Sequence, residues 1–150
     1  MDTVLLVLVI IIGAWILLMA SLKGFASLLR RQTEKAAHNA VYPETIRLSA
    51  DNASYLGAGF PGPNLPPRTS GCLLLTENRL FFLPWFPRKS ITLPKDTIRS
   101  VRTDSSFEGM SYAIQVLVLS IVGVADPHGD MAWLVHDPEG WEREIKAILS

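Results

Sequence analysis

The sequence predicts a mainly β domain of about seven short antiparallel strands, which form a small barrel or sandwich capped by a C-terminal helix. One transmembrane helix precedes this domain. Three observations carry the prediction: an unbroken apolar run near the N-terminus, a series of short apolar runs separated by turn residues, and an amphipathic segment at the end of the chain. The chain has 150 residues and a formal net charge of zero, which fits one small domain and an anchor.

The apolar run extends over residues 4–22 and contains no charged side chain. About 19 residues at 1.5 Å each span the roughly 30 Å hydrocarbon core of a bilayer. Because backbone groups in lipid must pair internally, the run is expected to be a helix. A cleaved signal peptide is the alternative, but the residues before the run include Asp2 and no basic residue, and the run is too long. We therefore assign residues 1–22 as a retained anchor.

Basic residues follow the apolar run and set its expected orientation. They are Lys23, Arg30, Arg31 and Lys35, and no basic residue precedes the run. Since Lys and Arg near a span stay on the cytoplasmic side, the N-terminus is predicted outside and residues 23–150 in the cytosol. The single cysteine, Cys72, permits no internal disulfide, which agrees with a reducing compartment.

Residues 23–41 form a basic connector in which Phe25, Leu28 and Leu29 have helical spacing. We interpret this connector as an extension of the anchor helix. The alternative is that its basic residues contact anionic lipid headgroups. The dipeptide Tyr42-Pro43 is expected to end any helix, because proline cannot continue one. The domain is accordingly placed at residues 42–150.

The domain begins with alternating polar and apolar residues at 44–50, which predict a half-buried strand. Asp51-Asn52 is expected to be a turn, and the Pro- and Gly-rich residues 57–71 are expected to be a surface loop, either a functional flap or merely mobile. Residues 104–111 are a second predicted loop, Gly123 a bend and the DPHGD segment a turn. The remaining short apolar runs predict strands at 72–76, 79–84, 90–94, 97–103, 112–124 and 131–136.

The C-terminal segment has the pattern of an amphipathic helix. Asp137 is a favourable N-cap, and Pro138 suits the first helical position. An apolar stripe follows at Trp141, Ile145, Ile148 and Leu149. We expect this helix to place Trp141 on an open end of the sheet.

The segment GCLLLTENRLFFLP (71–84) resembles the signature hairpin of GRAM and bacterial pleckstrin-homology (PH)-like domains, in which a Gly-x-Leu-x-Leu-Thr-x-x-Arg-Leu-x-Phe pattern is typical. SITLPKDTIRSV (90–101) and DPEGWEREI (137–145) resemble the strands that follow and the terminal helix. The resemblance covers roughly residues 44–150. It implies two near-orthogonal sheets capped by the helix, and a binding module for lipids or proteins that is not an enzyme. The sequence departs from lipid-binding PH domains because no strand-connecting loop carries a dense Lys/Arg cluster. This departure argues against specific phosphoinositide binding.

Residues that carry catalytic or metal chemistry are scattered along the chain. His38 lies in the connector and His136 at a strand end, and neither has the spacing of a metal site. Asp126, His128 and Asp130 are close in sequence, but a solvated turn explains them better than an ion site. Cys72 is expected in the core, and GAGFPG lacks the lysine of a phosphate-binding loop. No cofactor, metal, nucleic acid or enzymatic activity is predicted.

The reversal PWFPRK is the most informative predicted surface. Two prolines hold Trp85 and Phe86 near its end, and Arg88 and Lys89 follow. Aromatic rings beside cations suit a membrane interface, whereas the alternative is that Trp85 or Phe86 packs inward. Two functions follow. The favoured one is a membrane-anchored adaptor that recruits a protein partner, by strand addition at a sheet edge or beside the terminal helix, with loop 57–71 as a gate. The other is a lipid-binding domain that uses Trp85–Lys89 on anionic headgroups.

Overall fold

The structure, a computed structural model, describes residues 2–61, 63–122 and 129–150. A long N-terminal helix is followed by seven strands and a C-terminal helix. In chain order the elements are α1 (Thr3–Val41), β1 (Ile46–Ala58), β2 (Thr69–Thr76), β3 (Arg79–Pro84), β4 (Ile91–Pro94), a 3₁₀ turn (Lys95–Thr97), β5 (Ile98–Phe107), β6 (Met110–Ile121), β7 (Asp130–Leu134) and α2 (Pro138–Leu149).

The seven strands form one antiparallel sheet in the order β4-β3-β2-β1-β7-β6-β5. The sheet curls into a half-barrel, so the predicted mainly β fold is confirmed. The two near-orthogonal sheets implied by the family resemblance are joined here into one. The join is β1, which pairs with β2 from Ile46 to Tyr55 and with β7 from Ser54 to Ala58.

Strand β1 differs from the sequence prediction at Asp51-Asn52, where a turn was expected. The strand continues through both residues as an irregularity in the β1–β2 ladder between Ala50 and Ala53. A β-bulge accommodates an additional residue in one strand, and pairing resumes beyond it. Asp51 and Asn52 therefore form a bulge here and do not reverse the chain. The prediction of a turn was wrong for this reason.

Two predicted loops are shorter than expected because the strands on either side extend into them. The connection between β1 and β2 is anchored by buried Leu65 and by Arg68, whose backbone N–H donates to the carbonyl of Tyr55 at 2.7 Å. Strands β5 and β6 extend to a tight turn at Glu108-Gly109, where both residues have positive φ.

The predicted bend at Gly123 and most of the DPHGD turn lie outside the described residues.

The main core lies inside the curl of the sheet and under α2. Three buried rings, Tyr55, Phe82 and Trp133, lie with their centroids 5.6 to 6.2 Å apart. Helix α2 adds Trp141 and other apolar residues to this core. Its predicted N-cap is confirmed, because the carboxylate of Asp137 accepts a hydrogen bond from the N–H of Gly140. The terminal helix therefore closes the barrel as the amphipathic pattern predicted.

Helix α1 has 39 residues and ends at Val41, directly before the predicted break at Tyr42-Pro43. At 1.5 Å per residue it is about 58 Å long. Its apolar half is long and apolar enough to cross a membrane, and none of that segment is buried. The helix continues unbroken through residues 23–41.

Candidate membrane-facing site

The second half of α1 packs on the outer face of the β2–β3 hairpin. Ala37 and Val41 are fully buried there. Their partners on the sheet are Cys72, Leu74, Phe81 and Leu83, whereas the alternating residues of the same strands face the main core. The apolar run CLLL lacks polar alternation because both of its faces are covered.

The end of α1 is fixed at the β2–β3 turn by a polar cluster. The guanidinium of Arg79 donates to the carbonyl oxygen of Ala40 at 3.3 Å and pairs with Glu44 at 2.7 Å. The hydroxyl of Thr76 donates to Glu44 at 2.6 Å. This hydrogen bond and the charge of Arg79 lower the pKa of Glu44 despite its partial desolvation. Glu44 is therefore a charged clamp between the helix end and the hairpin turn.

A second contact fixes α1 further toward its N-terminus. The side chain of Arg30 donates to Asp51 of β1, with Nε 2.8 Å from the carboxylate. Asp51 lies between Ala50, which pairs with Leu73, and Ala53, which pairs with Gly71. Arg30 therefore lies beside the part of the hairpin where β2 starts. Because Gly71 pairs with Pro84, β3 ends at this same end of the hairpin.

These two contacts define the direction of α1 along the hairpin. From Arg30 to Val41 the helix advances about 16 Å, and five strand residues cover about the same distance. The helix therefore runs alongside β2 and β3, with its C-terminus at the β2–β3 turn. Its apolar N-terminal half leaves the domain on the side where β3 ends.

The β3–β4 connection, residues 85–90, lies at that same end of the hairpin. We call it the tip. The backbone N–H of Trp85 donates to the carbonyl of Ser70 at 2.9 Å, and Lys89 N–H to that of Pro87 at 2.8 Å. The tip therefore lies on the side of the hairpin from which the apolar half of α1 leaves the domain.

The structure distributes the predicted tip residues unequally. Phe86 is 83% exposed, and Arg88 and Lys89 are exposed. Among the described residues neither cation makes a salt bridge. Trp85 is half-buried, and its indole N–H is enclosed without a hydrogen-bond partner in the described part of the chain. The outward aromatic of the tip is thus Phe86, and Trp85 lies at its base.

The basic residues of α1 also have unequal surroundings. Lys23, Arg31 and Lys35 are exposed, whereas Arg30 is engaged by Asp51. The buried positions of this half of the helix are Thr33, Ala37 and Val41, spaced by four. This stripe and the clamp at Glu44 were missed by the sequence analysis. The spacing of Thr33, Ala37 and Val41 was the signal that could have revealed the docking face.

Groups with catalytic potential do not converge in the described residues. Burial raises the pKa of the Cys72 thiol to about 12, so the thiolate that a nucleophile requires is disfavoured. In the ranges 2–61, 63–122 and 129–150 no three His, Cys, Asp or Glu side chains lie together as a metal site. Asp130 is bound by Arg102 and Ser120. Asp126 and His128 lie outside the described residues.

Comparison with known proteins gives a likeness in structure and none in sequence. No family model matches the chain, and no curated protein matches it. The "Vps36 N-terminal PH domain" matches with a TM-score of 0.53 and 16% identity, over 71% of this chain and 83% of that one. The C-terminal domain of an unknown protein from Leishmania infantum matches at 0.55 and 12%, over 80% and 98%. A chain of "The 8S snRNP Assembly Intermediate" matches at 0.51 and 10%, over 69% and 81%. At these identities the likeness supports a PH-like fold and no specific function.

Proposed function

We propose that this protein is a single-pass membrane protein that holds a PH-like adaptor module against the cytoplasmic face of its own bilayer. Its N-terminus lies outside, residues 4–22 span the bilayer, and the domain recruits a protein partner at the membrane. The tip contacts anionic lipid. The adaptor is non-catalytic, and the lipid contact orients the module for recruitment.

One observation carries this proposal: the helix that provides the span also lies along the β2–β3 hairpin. If residues 4–22 occupy the hydrocarbon core, Lys23 lies at the headgroup layer. The contact of Arg30 with Asp51 supports a tip on the side of the domain from which this span leaves. The domain and the span share one helix, so the tip is held at the bilayer surface.

The chemistry of the tip suits that position. An exposed phenylalanine gains free energy by entering the apolar side of the interface, while Arg88 and Lys89 meet lipid phosphates. Each cation near an anionic surface contributes roughly 1 kcal/mol. Lys23 and Arg31 add positive charge along the same helix. Because α1 tethers the domain, even weak contacts are populated through a high effective concentration.

The adaptor function is supported by the PH-like fold. One of the similar structures is the PH domain of Vps36. A PH-like fold serves many binding roles, so the partner must be inferred from the surfaces of this chain.

Vesicle co-sedimentation tests the lipid contact. The suitable fragment is residues 29–150, because a fragment that begins at residue 42 would uncover Cys72, Leu74, Phe81 and Leu83. Vesicles are neutral or anionic, at low and at near-physiological salt. We expect the wild-type fragment to bind anionic vesicles in a salt-sensitive way. The variants Phe86→Ala and Arg88→Ala/Lys89→Ala should each weaken this binding.

The matched control removes two charges elsewhere on the domain. Lys95 and Arg99 are exposed, and Lys95 lies beside the β2–β3 turn, where its N–H donates to the carbonyl of Asn78. Lys95→Ala/Arg99→Ala should bind vesicles like wild type. Equal loss of binding in both double variants would mean that net charge, and not the tip, attracts the membrane. No binding by the wild-type fragment would refute the lipid contact.

A further inference from the structure

Strand β1 has an open edge in the middle of the sheet. On one side it pairs with β2 from Ile46 onward. On the other side its pairing with β7 begins only at Ser54, opposite Leu134. Residues 48–53 therefore have β2 on one side and, within the described chain, no strand on the other. In an antiparallel strand alternate residues direct both N–H and C=O to one side, so the regularly paired part, 48–50, presents unpaired main-chain groups on the side away from β2, and the bulge at Asp51-Asn52 follows it.

A groove follows this open edge. It lies between β1 and the segment that leads from β7 into α2, and its volume is about 710 Å³. Leu48 and Ala50 on β1 and Val135 and Trp141 opposite contribute apolar walls. The β1 side carries mostly small side chains, which leaves room beside the main chain. We call this space the β1 groove.

The other edges of the sheet are less accessible to an added strand. Edge strand β4 has only four residues and ends at Pro94, and such short proline-containing edges resist pairing. Edge strand β5 has α2 packed against it. Among the described strands, the open half of β1 is therefore the edge that combines free main-chain groups with an adjoining groove.

We propose that the β1 groove binds an extended peptide segment of a partner protein, which adds to β1 as a strand. A row of main-chain donors and acceptors is matched by another extended backbone. The added strand would continue the existing β1–β7 ladder beyond Ser54, in the space that β7 leaves when the chain turns into α2. This inference rests on the proposed adaptor function and names the chemistry of its partner.

The walls of the groove define the side chains that the segment carries. Six residues, 48–53, extend over about 20 Å, so a segment of similar length fills the edge. Residues that point toward Leu48 and Trp141 are apolar. Near the other end the charges of Arg30 and Asp51 neutralise each other, so a polar, uncharged residue fits there. The partner segment is therefore extended, proline-free and apolar at alternate positions.

The test uses the full-length protein in nanodiscs and a displayed library of random peptides of about ten residues. The tightest peptide from the selection is resynthesised with single N-methyl groups at each position in turn. Strand pairing uses alternate amides, so N-methylation should weaken binding about tenfold or more at every second position and leave the others near wild type. No protein variant is needed for this test, so misfolding cannot imitate the result.

Hydrogen exchange locates the bound peptide. We expect slower exchange of amides within 48–53 and unchanged exchange in the β4 edge at 92–93. A library without binders would overturn the inference, as would equal sensitivity to N-methylation at all positions, or protection confined to β4 or β5. The vesicle result for the tip is read separately. Peptide binding without vesicle binding would refute only the lipid contact. Vesicle binding without peptide binding would refute only the proposed peptide site in the β1 groove.

Discussion

The two halves of α1 belong to one continuous helix but have different surroundings. The first half, from Val4 through Leu22, is apolar on every side, and its residues are exposed. The second half buries a narrow stripe, Thr33, Ala37 and Val41, on the sheet and exposes charged residues elsewhere. A helix that is apolar all round requires an apolar solvent, whereas a one-sided stripe requires a packing partner. The first half is therefore long and apolar enough to cross a membrane, and the second half packs as part of the domain.

This difference explains the nature of the link between membrane and domain. A flexible connector would let the domain sample all orientations. Here the docked stripe and the clamp at Glu44 make residues 30–41 part of the domain. The orientation of the sheet therefore follows the direction of α1, and in the proposed arrangement the tip stays on the membrane side.

The largest effect is expected from a charge placed in the docked stripe. Ala37 is fully buried, so Ala37→Asp leaves an unpaired carboxylate against the sheet, at a cost of about 3–5 kcal/mol. The helix should separate from β2–β3 and uncover Cys72, the only cysteine of the chain. Maleimide alkylation of full-length protein in nanodiscs should accelerate by about 100-fold or more, at 1.36 kcal/mol for each factor of ten.

Asn39→Asp is the control for that experiment, because Asn39 is exposed on the same helix. It should leave the alkylation rate unchanged. Tryptophan fluorescence, to which the buried Trp133 and Trp141 contribute, should show that the barrel stays folded in both variants. Continued protection of Cys72 in a folded Ala37→Asp variant would mean that α1 does not cover this face.

An intermediate effect is expected from the clamp. Glu44→Gln keeps the shape of the side chain but removes the charge that Arg79 and Thr76 bind. Because hydrogen bonds to charged groups exceed neutral ones, the loss should be about 1–2 kcal/mol. Thermal unfolding of the fragment 29–150 measures it. Glu77→Gln, on the exposed β2–β3 turn, is the control and should change stability less; an equal change would argue against the clamp.

The same clamp predicts a pH dependence with a definite sign. The pKa of Glu44 is lowered from its ordinary 4.5, first by the hydrogen bond from Thr76 and also by Arg79. A lowered pKa stabilises the folded state above the ordinary value, and that stability is lost as the pH falls through the folded pKa. The wild-type advantage over Glu44→Gln should be constant near neutral pH and disappear on acidification below 4.5. An advantage that grows on acidification would contradict this assignment.

The smallest effect is expected from Arg30. Its pair with Asp51 is partly exposed on both sides, and such pairs contribute about 0–1 kcal/mol. Arg30→Gln should lower the stability of the fragment 29–150 by less than about 1 kcal/mol, and the loss should shrink in high salt. A loss as large as that of Glu44→Gln would show that this contact fixes the helix as strongly as the clamp does, contrary to the predicted order.

The strands and the terminal helix could be predicted from sequence because their signals are local. Alternation, turn residues and the N-cap at Asp137 act over a few positions. The prediction of a turn at Asp51-Asn52 was wrong because β-bulges and turns favour the same residue types. The docking of α1 was missed because its stripe consists of small residues within a polar segment. The non-alternating run CLLL already indicated a second cover for β2, but not which segment provides it.

The candidate site could be predicted only in part for a similar reason. PWFPRK identified an aromatic and basic tip, and the structure exposes Phe86, Arg88 and Lys89 there. The division of roles between Phe86 and half-buried Trp85 depends on packing that sequence patterns do not contain. The position of the tip relative to the span depends on the register between Arg30 and Asp51, which are distant in sequence. The β1 groove depends equally on where β7 stops pairing.

The most direct measurement of the central claim compares the two ends of the β2–β4 region. Cys72 is replaced by Ala, and a single cysteine at Ser90→Cys or Glu77→Cys carries an environment-sensitive fluorophore in full-length protein in nanodiscs. Ser90 closes the tip, and Glu77 lies on the opposite β2–β3 turn; both are exposed. Lipids with a quencher near the headgroup should quench the label at residue 90 strongly and the label at residue 77 weakly. Equal quenching at both positions, or stronger quenching at residue 77, would contradict a domain held with its tip at the bilayer.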